Sequence, residues 1–191
     1  MNRIAEYFIA LLEKRGVIRA ESRAVYVYGL SQMIYTAVST LALLLIGLLA
    51  GRPLQTALLI ALFYTNQTHG GGYHADTHMR CFLTMAAGLL CFLFTFLLPY
   101  SLPLCALLGA ASLGVLLARP LTLHPNKLFL SKRSAELVQK SRAVTAAQAV
   151  LFAAALLLGR AELIRTFAVA LLLCACSRMT SILIKQGTSF T

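Results

Sequence analysis

The chain has 191 residues and a mass of 20.7 kDa, with 59% of its residues hydrophobic, only 12% charged and a mean hydropathy of +0.79. Globular domains carry about a quarter charged residues, so this composition excludes disordered, fibrous and ordinary water-soluble classes and points to an all-α polytopic membrane protein. The 17 Lys and Arg against 6 Asp and Glu give a net charge of +11, but the basic residues flank apolar runs, where they set topology and meet anionic headgroups. No basic stripe is interleaved with aromatics, so nucleic acid is not an expected partner.

In chain order, residues 1 to 15 place Ile4, Tyr7, Phe8, Leu11 and Leu12 at helical spacing, with Arg3, Glu6, Glu13 and Lys14 mostly elsewhere on the wheel. That pattern predicts an amphipathic helix lying in the membrane interface, and residues 1 to 23 form this helix and its linker. Glu6, Glu13 and Lys14 deny the segment the apolar core of a cleaved signal peptide. Ala24 to Gly51 is uncharged and exceeds the ~20 residues needed to span. Leu54 to Tyr64 is apolar but runs into Asn66, Gln67, Thr68 and His69, so it reads as a short second helix with a polar end. Cys81 to Ala118 is uncharged for long enough to make two spans, broken at Pro99-Tyr100-Ser101-Leu102-Pro103. Ala143 to Gly159 and Leu163 to Ile184 form a last hairpin, and Arg178 inside it must snorkel or find a partner. The expectation is about six transmembrane helices in a single integral-membrane domain, 1–191.

With the N-terminus inside, the segments 1–23, 69–80, 119–142 and the C-terminal end hold five, one, six and two basic residues, leaving Arg52, Arg160 and Arg165 outside. This positive-inside asymmetry predicts both termini and the 69–80 loop on the cytoplasmic side. Of the five cysteines, Cys91, Cys105, Cys174 and Cys176 lie well inside apolar runs, where a free thiol behaves as a small hydrophobe, and no disulfide framework is expected.

The segment 66–81, Asn66-Gln67-Thr68-His69-Gly70-Gly71-Gly72-Tyr73-His74-Ala75-Asp76-Thr77-His78-Met79-Arg80-Cys81, gathers three of the four histidines, three successive glycines and a cysteine. In a chain this poor in polar groups, such a cluster marks a functional site. Cys81 opens an apolar helix, whose dipole, with Arg80, favours a thiolate nucleophile. On a continuous helix His78, three residues earlier, shares its face; if 70–75 folds back as a loop, His74 reaches it instead, with Gly71 and Gly72 offering backbone N–H groups as an oxyanion hole. A zinc hydrolase built on His74, His78 and Cys81 is the rival chemistry, although no HExxH is present. A non-enzymatic transporter is a third reading; Gln32, Asn66, Gln148 and Arg178 look too scattered for it. No P-loop, serine elbow or aspartyl dyad is present.

The order Gly71-Gly72-Tyr73-His74-Ala75 followed by Cys81 resembles the accessory gene regulator B family of membrane endopeptidases. So do Ile18, Glu21, Val27-Tyr28-Gly29-Leu30, the stretch Leu123-His124-Pro125-Asn126-Lys127-Leu128 and the basic tract through Glu136 and Lys140. The resemblance covers essentially the whole chain. It implies a cysteine peptidase of quorum sensing in the bacterial cell membrane, with His74 as base and Cys81 as nucleophile and no cofactor or metal. Its substrate would be a short propeptide with an amphipathic leader and an acidic tail, cyclised to a thiolactone or lactone after tail removal, and the enzyme is expected to be a homodimer. Small residues such as Ala110, Ala111, Gly114 and Ala118 make close helix packing feasible. Many members carry an Arg ahead of the glycines; here Gln67-Thr68-His69 stands there, and Gln67 is the expected hydrogen-bond donor in its place. The basic cytoplasmic segment 119–142 complements an acidic tail, with Asn126, Lys127, Lys132, Arg133 and Glu136 as expected substrate contacts.

Overall fold

The computed structural model describes residues 2–73, 75, 77–123, 134–184 and 188–190, and almost all of these are helical. The expectation of an all-α membrane protein holds, with one addition that periodicity did not show: a pair of three-residue strands. The chain divides into two compact units, 1–46 and 47–191.

In the first unit, α1 (Asn2–Lys14) is the amphipathic helix predicted, with Ile4, Tyr7, Phe8, Leu11 and Leu12 exposed along its apolar side. A 3-10 turn at Ala20–Ser22 leads into α2 (Arg23–Leu49), and an Arg23–Glu13 ion pair at 3.6 Å ties the linker. At 1.5 Å per residue the 27 residues of α2 reach about 40 Å, more than a hydrocarbon core. Val38, Leu41 and Leu45 stand exposed on it, as lipid-facing side chains do.

The second unit holds α3 (Pro53–Gly70), α4 (His78–Thr95), α5 (Leu102–Ala118), β1 (Leu121–Leu123), α6 (Ser134–Leu157), α7 (Ala161–Leu183) and β2 (Thr188–Phe190). Helix α7 is the centre, packing against α3, α4, α5 and α6. Its buried Ile164, Phe167, Ala168, Leu171, Cys174, Ala175 and Arg178 recur at helical spacing, and the small members let neighbouring backbones approach. Phe152 of α6 lies against Gly109 of α5, where a methyl group would overlap its ring.

Among the described residues four helices are long and apolar enough to cross a membrane: α2, α4, Ala135–Leu157 of α6, and α7. Helix α5 is apolar but has 17 residues. Helix α3 runs beside α7 over most of its length. Near its start Arg52 and Gln55 both donate to Glu162, the second bond at 2.6 Å, and near its end Asn66 Oδ1 accepts from Arg178 Nη2 at 3.2 Å.

Two expected boundaries move. The 66–81 segment is mostly helix: α3 continues through Gly70 and α4 begins at His78, so the connecting loop is only 71–77. Local bonds explain the extension. Thr65 and Thr68 donate to the carbonyls of Ala61 and Tyr64 at 2.9 and 2.8 Å, and His69 Nδ1 lies 2.9 Å from Thr65 O, so polar side chains are satisfied without leaving the helix. Helix α6 likewise starts at Ser134, nine residues ahead of the apolar run, so the end of the basic segment is helical.

Candidate functional site

Helix α4 begins with Thr77 as N-cap, its hydroxyl accepting from Arg80 N at 3.2 Å while Cys81 N bonds Thr77 O at 3.0 Å. This capped first turn carries the exposed Cys81, with His78 one turn before it. The cap thus fixes the thiol where the loop enters the helix.

The loop itself is built on three elements. Gly71 turns out of α3 with φ +70°, a conformation other residues adopt only with strain, and its N–H closes the helix on Gln67 O at 3.1 Å. There is also no room for a side chain at Gly71, since a Cβ would overlap the carbonyl oxygen of Thr122 on β1. A Cβ on Gly72 would meet Gln67 Oε1 and Ser177 Oγ. Tyr73 is then held from both sides: Gln67 Nε2 donates to its carbonyl at 3.2 Å, and its own N–H bonds Ser177 O and Ser177 Oγ at 3.0 and 3.1 Å. Gln67 therefore grips the loop with both its backbone and its side chain. The amides of Gly71 and Tyr73 are committed to holding the turn.

Beneath the loop lies Arg178. It is 1% exposed and, of the two outcomes expected for a charge inside the last apolar run, it finds partners rather than snorkelling. Its Nη1 donates to Leu116 O, Arg119 O and Pro120 O at 3.2, 2.9 and 3.1 Å, and its Nη2 to Asn66 Oδ1. The first two lie at the C-terminal end of α5, the negative pole of that helix, and Pro120 O just beyond it is shared with Ser141 Oγ. Among the described residues no carboxylate pairs with Arg178, and its Nε has no partner. A Cβ on Gly70 would overlap the guanidinium, so the last residue of α3 rests directly on it.

Asn66 Nδ2 donates to Gln148 Oε1, and Gln148 Nε2 donates to Leu62 O and Thr65 Oγ1 at 3.1 and 3.0 Å. Ser141 Oγ donates to Pro120 O. Asn66, Gln148 and Arg178, which look scattered in the sequence, are one network joining α3, α6 and α7; Gln32 lies in the other unit. Their separation along the chain hid this, although each polar group at membrane depth signalled an unseen partner. Ser177 and Thr122, both part of the loop's support, carried no sequence signal beyond the same rule.

Other expected site residues fall elsewhere. Glu136 is exposed on α6 and accepts from Lys140 Nζ at 2.7 Å. His74, Asp76, Asn126, Lys127, Lys132 and Arg133 lie outside the described residues. Among the described residues no three His, Cys, Asp or Glu groups gather as metal ligands.

Fold and loop together define a polytopic membrane protein with a glycine turn seated on buried polar side chains and an exposed thiol on the first turn of the helix that follows. The family model for accessory gene regulator B matches residues 1–177, and the chain belongs to that family. It is accordingly a membrane protein of agr quorum sensing, with a part in processing the signal propeptide. Comparison with curated proteins and with solved structures finds no match.

Proposed function

We propose that the chain is a cysteine endopeptidase that releases the C-terminal tail of a quorum-sensing propeptide and closes the remainder into a thiolactone or lactone. The observation that carries this is the clamped turn Gly71-Gly72-Tyr73, which leads directly to His74, together with the exposed Cys81 on the capped first turn of α4.

In the proposed reaction His74 takes the Cys81 proton as the sulfur attacks the scissile carbonyl, giving a tetrahedral oxyanion. With the amides of Gly71 and Tyr73 engaged, the Gly72 amide is the loop donor assigned to that oxyanion. The C–N bond breaks, the leaving amine takes the proton from His74, and the peptide stays on Cys81 as a thioester. A thiol or hydroxyl of the same peptide then attacks, passing its proton through His74 to the departing Cys81 sulfur. Tethering gives this internal nucleophile an effective concentration that outruns water. Forming a thioester from an amide is uphill, so departure of the cleaved tail draws the reaction forward. Orientation is part of the proposal: six crossings, with both termini, the loop and the 119–142 segment in the cytoplasm, where Asn126, Lys127, Lys132 and Arg133 meet an acidic tail. A homodimer is the proposed assembly.

In proteoliposomes with a cognate propeptide, Cys81→Ser and His74→Ala are expected to abolish tail release. Unaltered cleavage by either variant rejects the assignment. A thiol alkylator should stop the reaction and a chelator leave it intact; the reverse result selects the zinc hydrolase.

A further inference from the structure

We propose that β1 is the docking strand for the peptide substrate, which adds to it in extended form at the edge now held by residues 188–190. This rests on the reading of the chain as a peptide-processing enzyme. Strand β1 pairs antiparallel with β2, Leu121 opposite Phe190, Thr122 opposite Ser189 and Leu123 opposite Thr188. Its two edges face different neighbours. The Thr122 carbonyl is turned to Gly71, and Thr122 Oγ1 donates to Gly70 O at 3.4 Å, so one edge abuts the glycine turn. Peptide groups alternate along a strand, so Leu121 and Leu123 present theirs to the opposite edge, the one β2 occupies.

Three observations make that edge a receptor rather than a chance pairing. The strand is fixed at its root, because the carbonyls of Arg119 and Pro120 are gripped by Arg178 and Pro120 O also accepts from Ser141. Leu121 and Thr122 are 2% and 3% exposed, so β1 is anchored in the helical unit while its outer edge takes a partner. The family match ends at residue 177: it includes the turn and β1 but stops before β2. The edge is thus within the region the family model describes, and its present occupant is not. A peptide laid there runs about 4.8 Å from β1, one strand beyond the turn that leads to His74. Recognition through main-chain bonds suits a substrate whose backbone must be extended to expose a scissile bond.

Strand exchange gives readouts that a simple loss of activity does not. A chain ended at Ile184 is purified in nanodiscs beside the full chain, each carrying Cys81→Ala, and binding of a fluorescent propeptide is measured. Removing the competing strand is expected to tighten apparent binding at least about fivefold, because the free edge is then always available. A synthetic peptide of residues 185–191 should compete with the propeptide on the shortened chain, and its binding also shows that this chain folds. The full-length variant Thr188→Pro with Phe190→Pro, which deletes donors facing β1, should reproduce the tightening. Propeptides N-methylated at single amides should lose binding at alternate positions only. Equal affinity for all three chains with a flat N-methyl scan overturns the docking strand, even when the unmutated enzyme cleaves normally. Failure of the unmutated enzyme to cleave, with strand exchange intact, instead overturns the proposed reaction.

Discussion

Arg165 and Arg178 stand about 20 Å apart on α7, and each caps the end of a neighbouring helix, but in different surroundings. Arg165 donates to Thr95 O and Leu98 O at 2.6 and 3.2 Å where α4 ends, and its guanidinium lies 5.2 Å from the Phe96 ring and 5.5 Å from that of Tyr100. Glu162, one turn away, bonds Arg52 and Gln55 and is largely exposed. Charge at that rim is shared among opposite signs, aromatic faces and open surface. Among the described residues Arg178 has neutral acceptors alone, three of them carbonyls at or just past the end of α5, and it is buried under Gly70. Arg165 is also buried, at 8% exposure, but the carbonyls it holds belong to the end of α4, away from the glycine turn. Arg178 fastens α3, α5, α7 and the root of β1 at the point where the glycine turn is seated, so structure and site depend on the same side chain.

That contrast sets an order of effects. Arg178→Met is expected to cost roughly 2–4 kcal/mol, because it leaves buried carbonyls and Asn66 without a donor, and to abolish tail release. Unfolding followed by a thiol-reactive dye at the buried Cys105 and Cys174 measures the first part, and a proteoliposome assay the second. A variant as stable and active as the parent removes the distinction between the two ends. Gly70→Ala forces the guanidinium aside and should cost about 1–3 kcal/mol, with activity falling further than in equally destabilised variants made at the rim. Arg165→Met should cost about 1–2 kcal/mol while leaving tail release near the parent's rate once folded protein is equalised. Glu162→Gln, at an exposed ion pair, is expected to change stability by less than about 1 kcal/mol, an effect that shrinks further in high salt. If Arg165→Met silences the enzyme as Arg178→Met does, the rim belongs to the working part of the molecule.

Much of the fold was legible because lipid imposes a simple rule. Long uncharged runs become helices, and the break at Pro99 to Pro103 separates α4 from α5 as predicted. The extension of α3 through Gly70 was not legible, because Thr65, Thr68 and His69 look like loop residues until their bonds to the preceding turn are seen. At the site, Gln67 was singled out from sequence as a hydrogen-bond donor standing in for an arginine; the structure engages its amide with Tyr73 O, within the loop. Ser177 and Thr122, which complete the clamp, are more than fifty residues farther along the chain or on a strand too short for period-two patterning to reveal.

By itself the sequence determined the solvent, the helices and the presence of a histidine, glycine and cysteine cluster, since composition and periodicity are local properties of the chain. Which polar residues meet inside the bundle was decided by tertiary structure alone. Asn66, Gln148 and Arg178 find one another only when three helices pack together, and burial away from water obliges each to take a partner that no local pattern names.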